Sequence, residues 1–177
     1  KSKARVGAEE AFSAYDAVIL RLGGIYGPGR SLLDAQRRAA STSEKPVNRI
    51  HVDDIAGFLL AVADRDIRST TYNVVDDDPA PRSAVSAFAD ELIGPAPAKG
   101  AAKPSRGTGS KRCRNEKLRE VYELLAPTYK EGLLRIKDAD PAVAAAARRQ
   151  ERIAAAQRDL QAVALADQRA DVESGET

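Results

Sequence analysis

Apolar residues recur along the chain with two different periods, and the changes of period divide it into elements. Over 3–15, Val6, Ala8, Phe12 and Tyr15 return at roughly helical spacing among charges, which predicts the end of an amphipathic helix broken by Asp16. Ala17-Val18-Ile19-Leu20-Arg21-Leu22 is β-rich and almost continuously apolar, the pattern of a strand in a sheet covered on both faces, and Gly23-Gly24 bounds it. A helix is predicted over 31–40. Over 46–52, Ile50 and Val52 alternate with Arg49, His51 and Asp53, which puts a cation, an imidazole and a carboxylate on one strand face. Asp53 or Asp54 is placed to cap a helix over 55–63, whose Ile55, Phe58, Leu59 and Val62 follow a three-four spacing. Thr71-Tyr72-Asn73-Val74-Val75 forms another strand, Asp76-Asp77-Asp78-Pro79 a solvated acidic turn, and 82–93 a helix.

Periodicity then lapses. The stretch 94–110 is rich in Pro, Ala, Gly and Lys, and reads as a flexible surface loop or tether. Asn115 is placed to cap a helix over 116–125 that Ala126-Pro127 closes, and 129–136 is a short amphipathic segment. From Asp140-Pro141 the composition shifts to Ala, Arg, Gln, Asp and Glu, predicting a helix over 141–170 with a frayed acidic end. Val143, Ile153, Leu160 and Val163 give that helix only a weak apolar stripe, compatible with a solvated helix or with helix–helix association. Alternation of strands and helices indicates an α/β fold with a largely parallel sheet. Three strands would leave apolar surface uncovered, so further strands are expected before Lys1. The predicted organisation is an α/β unit over 1–136, including the 94–110 loop, and a helical, partly disordered tail over 137–177.

Composition narrows the chemistry. A formal charge of +2 is too small to draw the chain to nucleic acid or an anionic membrane, and neither is expected as a partner. Cys113 is the only cysteine and His51 the only histidine, which excludes an intrachain disulfide and a cysteine-rich metal site. The consecutive carboxylates Asp76, Asp77 and Asp78 cannot all point inward, and no metal is expected. No run approaches the roughly 20 apolar residues that span a bilayer. A start at Lys1 without methionine is expected to be a truncation. The cytoplasm is the expected compartment, with organellar targeting from a lost leader as the alternative. Gly107-Thr108-Gly109-Ser110-Lys111 resembles a phosphate loop only superficially, because Arg112 stands where a further glycine is needed.

Three segments carry a more specific signal: Leu20-Arg21-Leu22-Gly23-Gly24-Ile25-Tyr26-Gly27-Pro28-Gly29-Arg30, Asn48-Arg49-Ile50-His51-Val52-Asp53-Asp54-Ile55-Ala56, and Tyr72-Asn73-Val74-Val75-Asp76. In order and spacing they resemble the NAD-dependent epimerase/dehydratase branch of the extended short-chain dehydrogenase/reductase superfamily. Lys111-Arg112-Cys113-Arg114-Asn115 with Lys117-Leu118, then Pro127-Thr128-Tyr129 with Glu131-Gly132-Leu133, resemble a small atypical subgroup of it. The resemblance spans about 3–136. It implies the C-terminal half of a Rossmann-like, doubly wound parallel sheet, followed here by the Ala-rich helical tail. It further implies NAD or NADP as cofactor, a sugar-nucleotide or related small molecule as substrate, and a homodimer as a compatible assembly.

In that family the loop at Tyr26, Gly27 and Pro28 lies beside the nicotinamide, so these three are cofactor-side candidates. Arg30, Arg49 and His51 are candidates for the substrate side. The plainer physical readings are a stiff turn at Gly27-Pro28, a solvated Arg30, a His51 bonded to backbone and an Asp53 that caps a helix. Two family features are missing from the sequence. It has no glycine-rich turn for the pyrophosphate. Aligning Glu9 with the glutamate that follows the Tyr-x-x-x-Lys pattern places Arg5 at the lysine and Lys1 at the tyrosine, and neither replaces a phenolic acid. No catalytic residue is therefore assigned. Either the pair lies upstream, or the protein is a non-catalytic member that keeps the fold as a binding or regulatory module. By itself the chain is not expected to transfer hydride.

Overall fold

Helix α1 (Lys3–Phe12) passes into a 3-10 turn at Ser13–Tyr15, where Asp16 adopts a left-handed conformation (φ 52°) and turns the chain into the first strand. This is a computed structural model, in which residues 3–30, 33, 44–95 and 111–174 are described, with side chains to 162. The helix predicted over 31–40 and most of the 94–110 loop lie outside the described residues.

Among the described residues, four short strands form two parallel pairs. Strand β1 (Ile19–Leu22) pairs with β4 (Thr71–Val74), and β2 (Gly24–Tyr26) pairs with β3 (Arg49–His51). Gly23-Gly24 was expected to end the strand region; instead the chain changes partner there. Gly23 N–H donates to Val74 O at 3.0 Å and Gly24 N–H to Asn48 O at 2.8 Å. A Cβ on Gly23 would stand 3.1 Å from the backbone of Asn48 and Arg49, so a side chain would hold the two pairs apart.

Two cores lie on either side of the β2–β3 pair. In one, Ile50, Phe58, Val62, Tyr72, Val74, Leu118 and Leu124 gather under α2 (Val52–Asp64). In the other, Tyr26, Leu33, Val85, Ala89, Leu133 and Ile136 gather between α3 (Arg82–Ile93) and α5 (Tyr129–Ala139). Helix α3 has the bounds its sequence pattern predicts. Helix α6 (Pro141–Ser174) packs its first turns on α3 and α5, with Ala147 buried and Val143 against the second core.

Helix α4 (Glu116–Arg119) is far shorter than the 116–125 expected. The buried Asp54 carboxylate accepts from the N–H groups of Leu125 (2.6 Å) and Ala126 (3.2 Å), donors that a continuing helix would have used internally. Preceding it, the segment 111–115 is held by side-chain amides. Asn48 donates to Lys111 O (2.7 Å) and accepts from Cys113 N–H (2.8 Å), Asn73 donates to Arg114 O (3.0 Å), and Asn115 donates to Val75 O (3.0 Å).

Candidate functional site

The Tyr26–Pro28 loop follows β2 and closes on itself through paired backbone bonds between Gly27 and Arg30, at 3.3 and 3.0 Å. Gly27 is dictated by packing, since its Cβ would stand 2.5 Å from Val52 Cγ1 at the start of α2. Pro28 faces a groove of about 290 Å³ between this loop, the N-terminus of α2 and the C-terminal end of α5. His51, Asp53, Arg135, Ile136, Asp138 and Ala139 complete its lining. It sits at the carboxyl ends of parallel strands, where open α/β sheets commonly bind ligands.

His51 is the organising residue of that groove. Its Nδ1 accepts from Asp53 N–H at 3.2 Å, so the imidazole itself caps α2. The expected cap from Asp53 or Asp54 is thereby corrected. Val52 already begins the helix, so Asp53 leaves the strand face it was predicted to share with Arg49 and His51 and turns to the groove. With Nδ1 accepting, the neutral ring carries its proton on Nε2, which is buried and unpaired among the described residues. Burial pushes the His51 pKa below its ordinary 6.5, against the opposing pull of Asp53 and Asp54. Asp53 also pairs with Arg135 at 3.5 Å. Two carboxylates, one guanidinium and a neutral imidazole thus line the groove, an arrangement that can both accept from and donate to ligand hydroxyls.

The other sequence candidates are distributed differently. Tyr26 is buried in the second core, edge-on to His51 with centroids 5.2 Å apart. Arg49 is buried as well, its Nη1 donating to Val47 O (2.9 Å) and Ala80 O (2.6 Å). Arg49 and Tyr26 line a separate cavity of about 30 Å³, apart from the groove. Arg30 is exposed on the loop. Of the candidates, Pro28 and His51 line the groove.

Sequence reasoning missed Arg135 and Asp138, which lie on the groove side of α5 beside the buried stripe of Leu133 and Ile136. It also missed Asp76. The acidic turn is not uniformly solvated, because Asp76 is buried, with its N–H donating to Arg49 O at 2.7 Å. Burial raises its pKa to about 8, with the Arg49 cation pulling the other way. Its position just past β4, after the buried Val75, was the available signal. Among the described residues no group of His, Cys, Asp or Glu is arranged to hold a metal, and no helix is long and apolar enough to cross a membrane.

No family model matches the chain, and no curated protein matches it. Solved structures do. A conserved protein of unknown function from Silicibacter pomeroyi DSS is 35% identical with a TM-score of 0.66, over 76% of this chain and 54% of that one. A structure assigned to the NAD-dependent epimerases/dehydratases, from Methylobacillus flagellatus, is 30% identical with a TM-score of 0.58, over 76% and 51%. The dTDP-glucose 4,6-dehydratase of Bacillus anthracis, in complex with NAD, shares the fold at 16% identity and a TM-score of 0.57, over 79% and 51%. The chain spans about half the length of these structures. Their likeness bears out the resemblance carried by the sequence motifs: this is the Rossmann-like α/β fold of the NAD-dependent epimerases/dehydratases, present over about half of their length.

Proposed function

We propose that the chain is the substrate-facing half of an NAD(P)-dependent epimerase/dehydratase-like protein acting on a sugar nucleotide or related small molecule, and that by itself it is inactive. The observation that supports this reading is the convergence of Pro28, His51 and Asp53 on one groove at the carboxyl ends of parallel strands. A bound nicotinamide would supply hydride exchange. Of this chain's residues, Pro28 would form a wall beside the ring, while Tyr26 and Gly27 support that wall from behind. His51 holds a proton on Nε2 and faces Tyr26, and Asp53 and Arg135 offer an acceptor and a donor to substrate hydroxyls. The pyrophosphate needs a glycine-rich turn that this sequence lacks, so cofactor binding requires additional polypeptide.

The test is to join the chain to its upstream sequence and titrate NAD(H) and NADP(H) by fluorescence, with the 177-residue chain as control. The longer protein should carry GxxGxxG and bind, while the chain should not. An upstream region without that turn, or without binding, overturns the reading.

A second reading, a non-catalytic binding or regulatory module, is favoured by Lys1 and Arg5 at the proton-transfer positions. Reduction or epimerisation of any substrate by the longer protein would exclude it.

A further inference from the structure

The cavity of about 30 Å³ between β2, β3 and α5 is lined by Tyr26, Arg49, Val85, Tyr129 and Leu133. One water needs about 10–15 Å³ of such space, so the volume admits a single water and little more. Its walls are mostly apolar, and Tyr26 and Arg49 are the residues that bring polar groups to it. Tyr26 Oη is buried with no hydrogen-bond partner among the described residues, and it can both donate and accept. The Arg49 guanidinium carries five N–H donors, and Nη1 is the nitrogen that serves Val47 O and Ala80 O, leaving Nε and Nη2 as further donors. Gly132 brings the α5 backbone against the Tyr26 hydroxyl, where any Cβ would collide, so the hydroxyl is confined. A dry buried hydroxyl with no partner is unfavourable. A free cation is disfavoured beside Arg49, and a polyatomic anion exceeds the space.

We propose that this cavity is an internal hydration site, in which one water accepts from an Arg49 N–H and hydrogen-bonds Tyr26 Oη, joining β2 to β3 through their side chains. The residues that line this cavity are distinct from those that line the groove. Burial, with Asp76 nearby, pushes the Tyr26 phenol well above its ordinary range, so the hydroxyl keeps its proton for this bond.

Two measurements on the 177-residue chain test it. Tyr26→Phe removes the hydroxyl and keeps the ring. Loss of the water bridge should raise the unfolding constant about three- to tenfold, the usual net contribution of one hydrogen bond. An unchanged or smaller unfolding constant means that the hydroxyl was unsatisfied in a dry cavity, and overturns the proposal. A high-resolution crystal structure decides independently, including where the variant fails to fold. Density for a water within hydrogen-bonding distance of both Tyr26 Oη and the Arg49 guanidinium supports the proposal, and its absence there overturns it.

Discussion

At the scale of single residues, two buried ionisable groups give the molecule opposite responses to pH. Asp76 loses its proton near 3.8 in an unfolded chain but near 8 in the folded one, because burial outweighs the attraction of Arg49. Between those values the unfolded state binds fewer protons, so this group makes stability fall as pH rises. Asp76→Asn should remove that slope, and urea midpoints measured from pH 5 to about 8 should fall less steeply in the variant than in the parent. A parallel pair of curves would show that Asp76 ionises freely. His51 acts in the other direction. Its folded pKa is held below 6.5, so its contribution is complete above that value and is lost as pH falls through the folded pKa. Nitrogen NMR of labelled His51 should show the Nε2–H tautomer at neutral pH and protonation only at more acidic pH. A ring protonated on Nδ1 would contradict the cap on Asp53 N–H.

At the scale of elements, glycine positions separate packing from propensity. Gly132 lies on α5 where a Cβ would collide with the Tyr26 ring and hydroxyl, whereas Gly7 on α1 has nothing within 4 Å. Gly132→Ala should therefore destabilise the chain by about 1–3 kcal/mol through overpacking. Gly7→Ala should stabilise it by roughly 0.5–1 kcal/mol through helix propensity. Denaturation of the two variants measures both, and a neutral Gly132→Ala would mean that α5 can move off the strand layer. The same contact explains why 127–133 stood out in the sequence. Thr128 and Glu131 form a capping box, Gly132 admits Tyr26, and Leu133 is buried. Helix α3 was legible because its apolar spacing is local. The length of α4 was not, because Asp54, far away in sequence, holds the N–H groups of Leu125 and Ala126 at the far end of the segment predicted as helix. On β3 the alternation of residues could not tell inside from outside. The strand lies between two cores, so Arg49, Ile50 and His51 are all buried.

For the whole molecule, the unsettled element is α6. The sequence separates an α/β unit over 1–136 from a tail over 137–177, and that division is a proposal that truncation can test. The first turns of α6 are joined to the body, with Val143 against the second core and Ala147 buried, while Ile153 and Leu160 are 42% and 71% exposed. An isolated Ala-rich helix is marginal in water, so its distal turns contribute little to the stability of the rest. Removing 163–177 should leave the urea midpoint and the solution mass unchanged. Ending the chain at 140 should cost roughly 2–3 kcal/mol, the scale of burying one or two small aliphatic side chains, because it uncovers the faces of α3 and α5 that α6 occupies. Light scattering alongside denaturation distinguishes the remaining outcome. A fall in mass on removing 163–177 would mean that the distal helix associates with a second copy, and the tail would then be an assembly element instead of a brace for the α3–α5 layer.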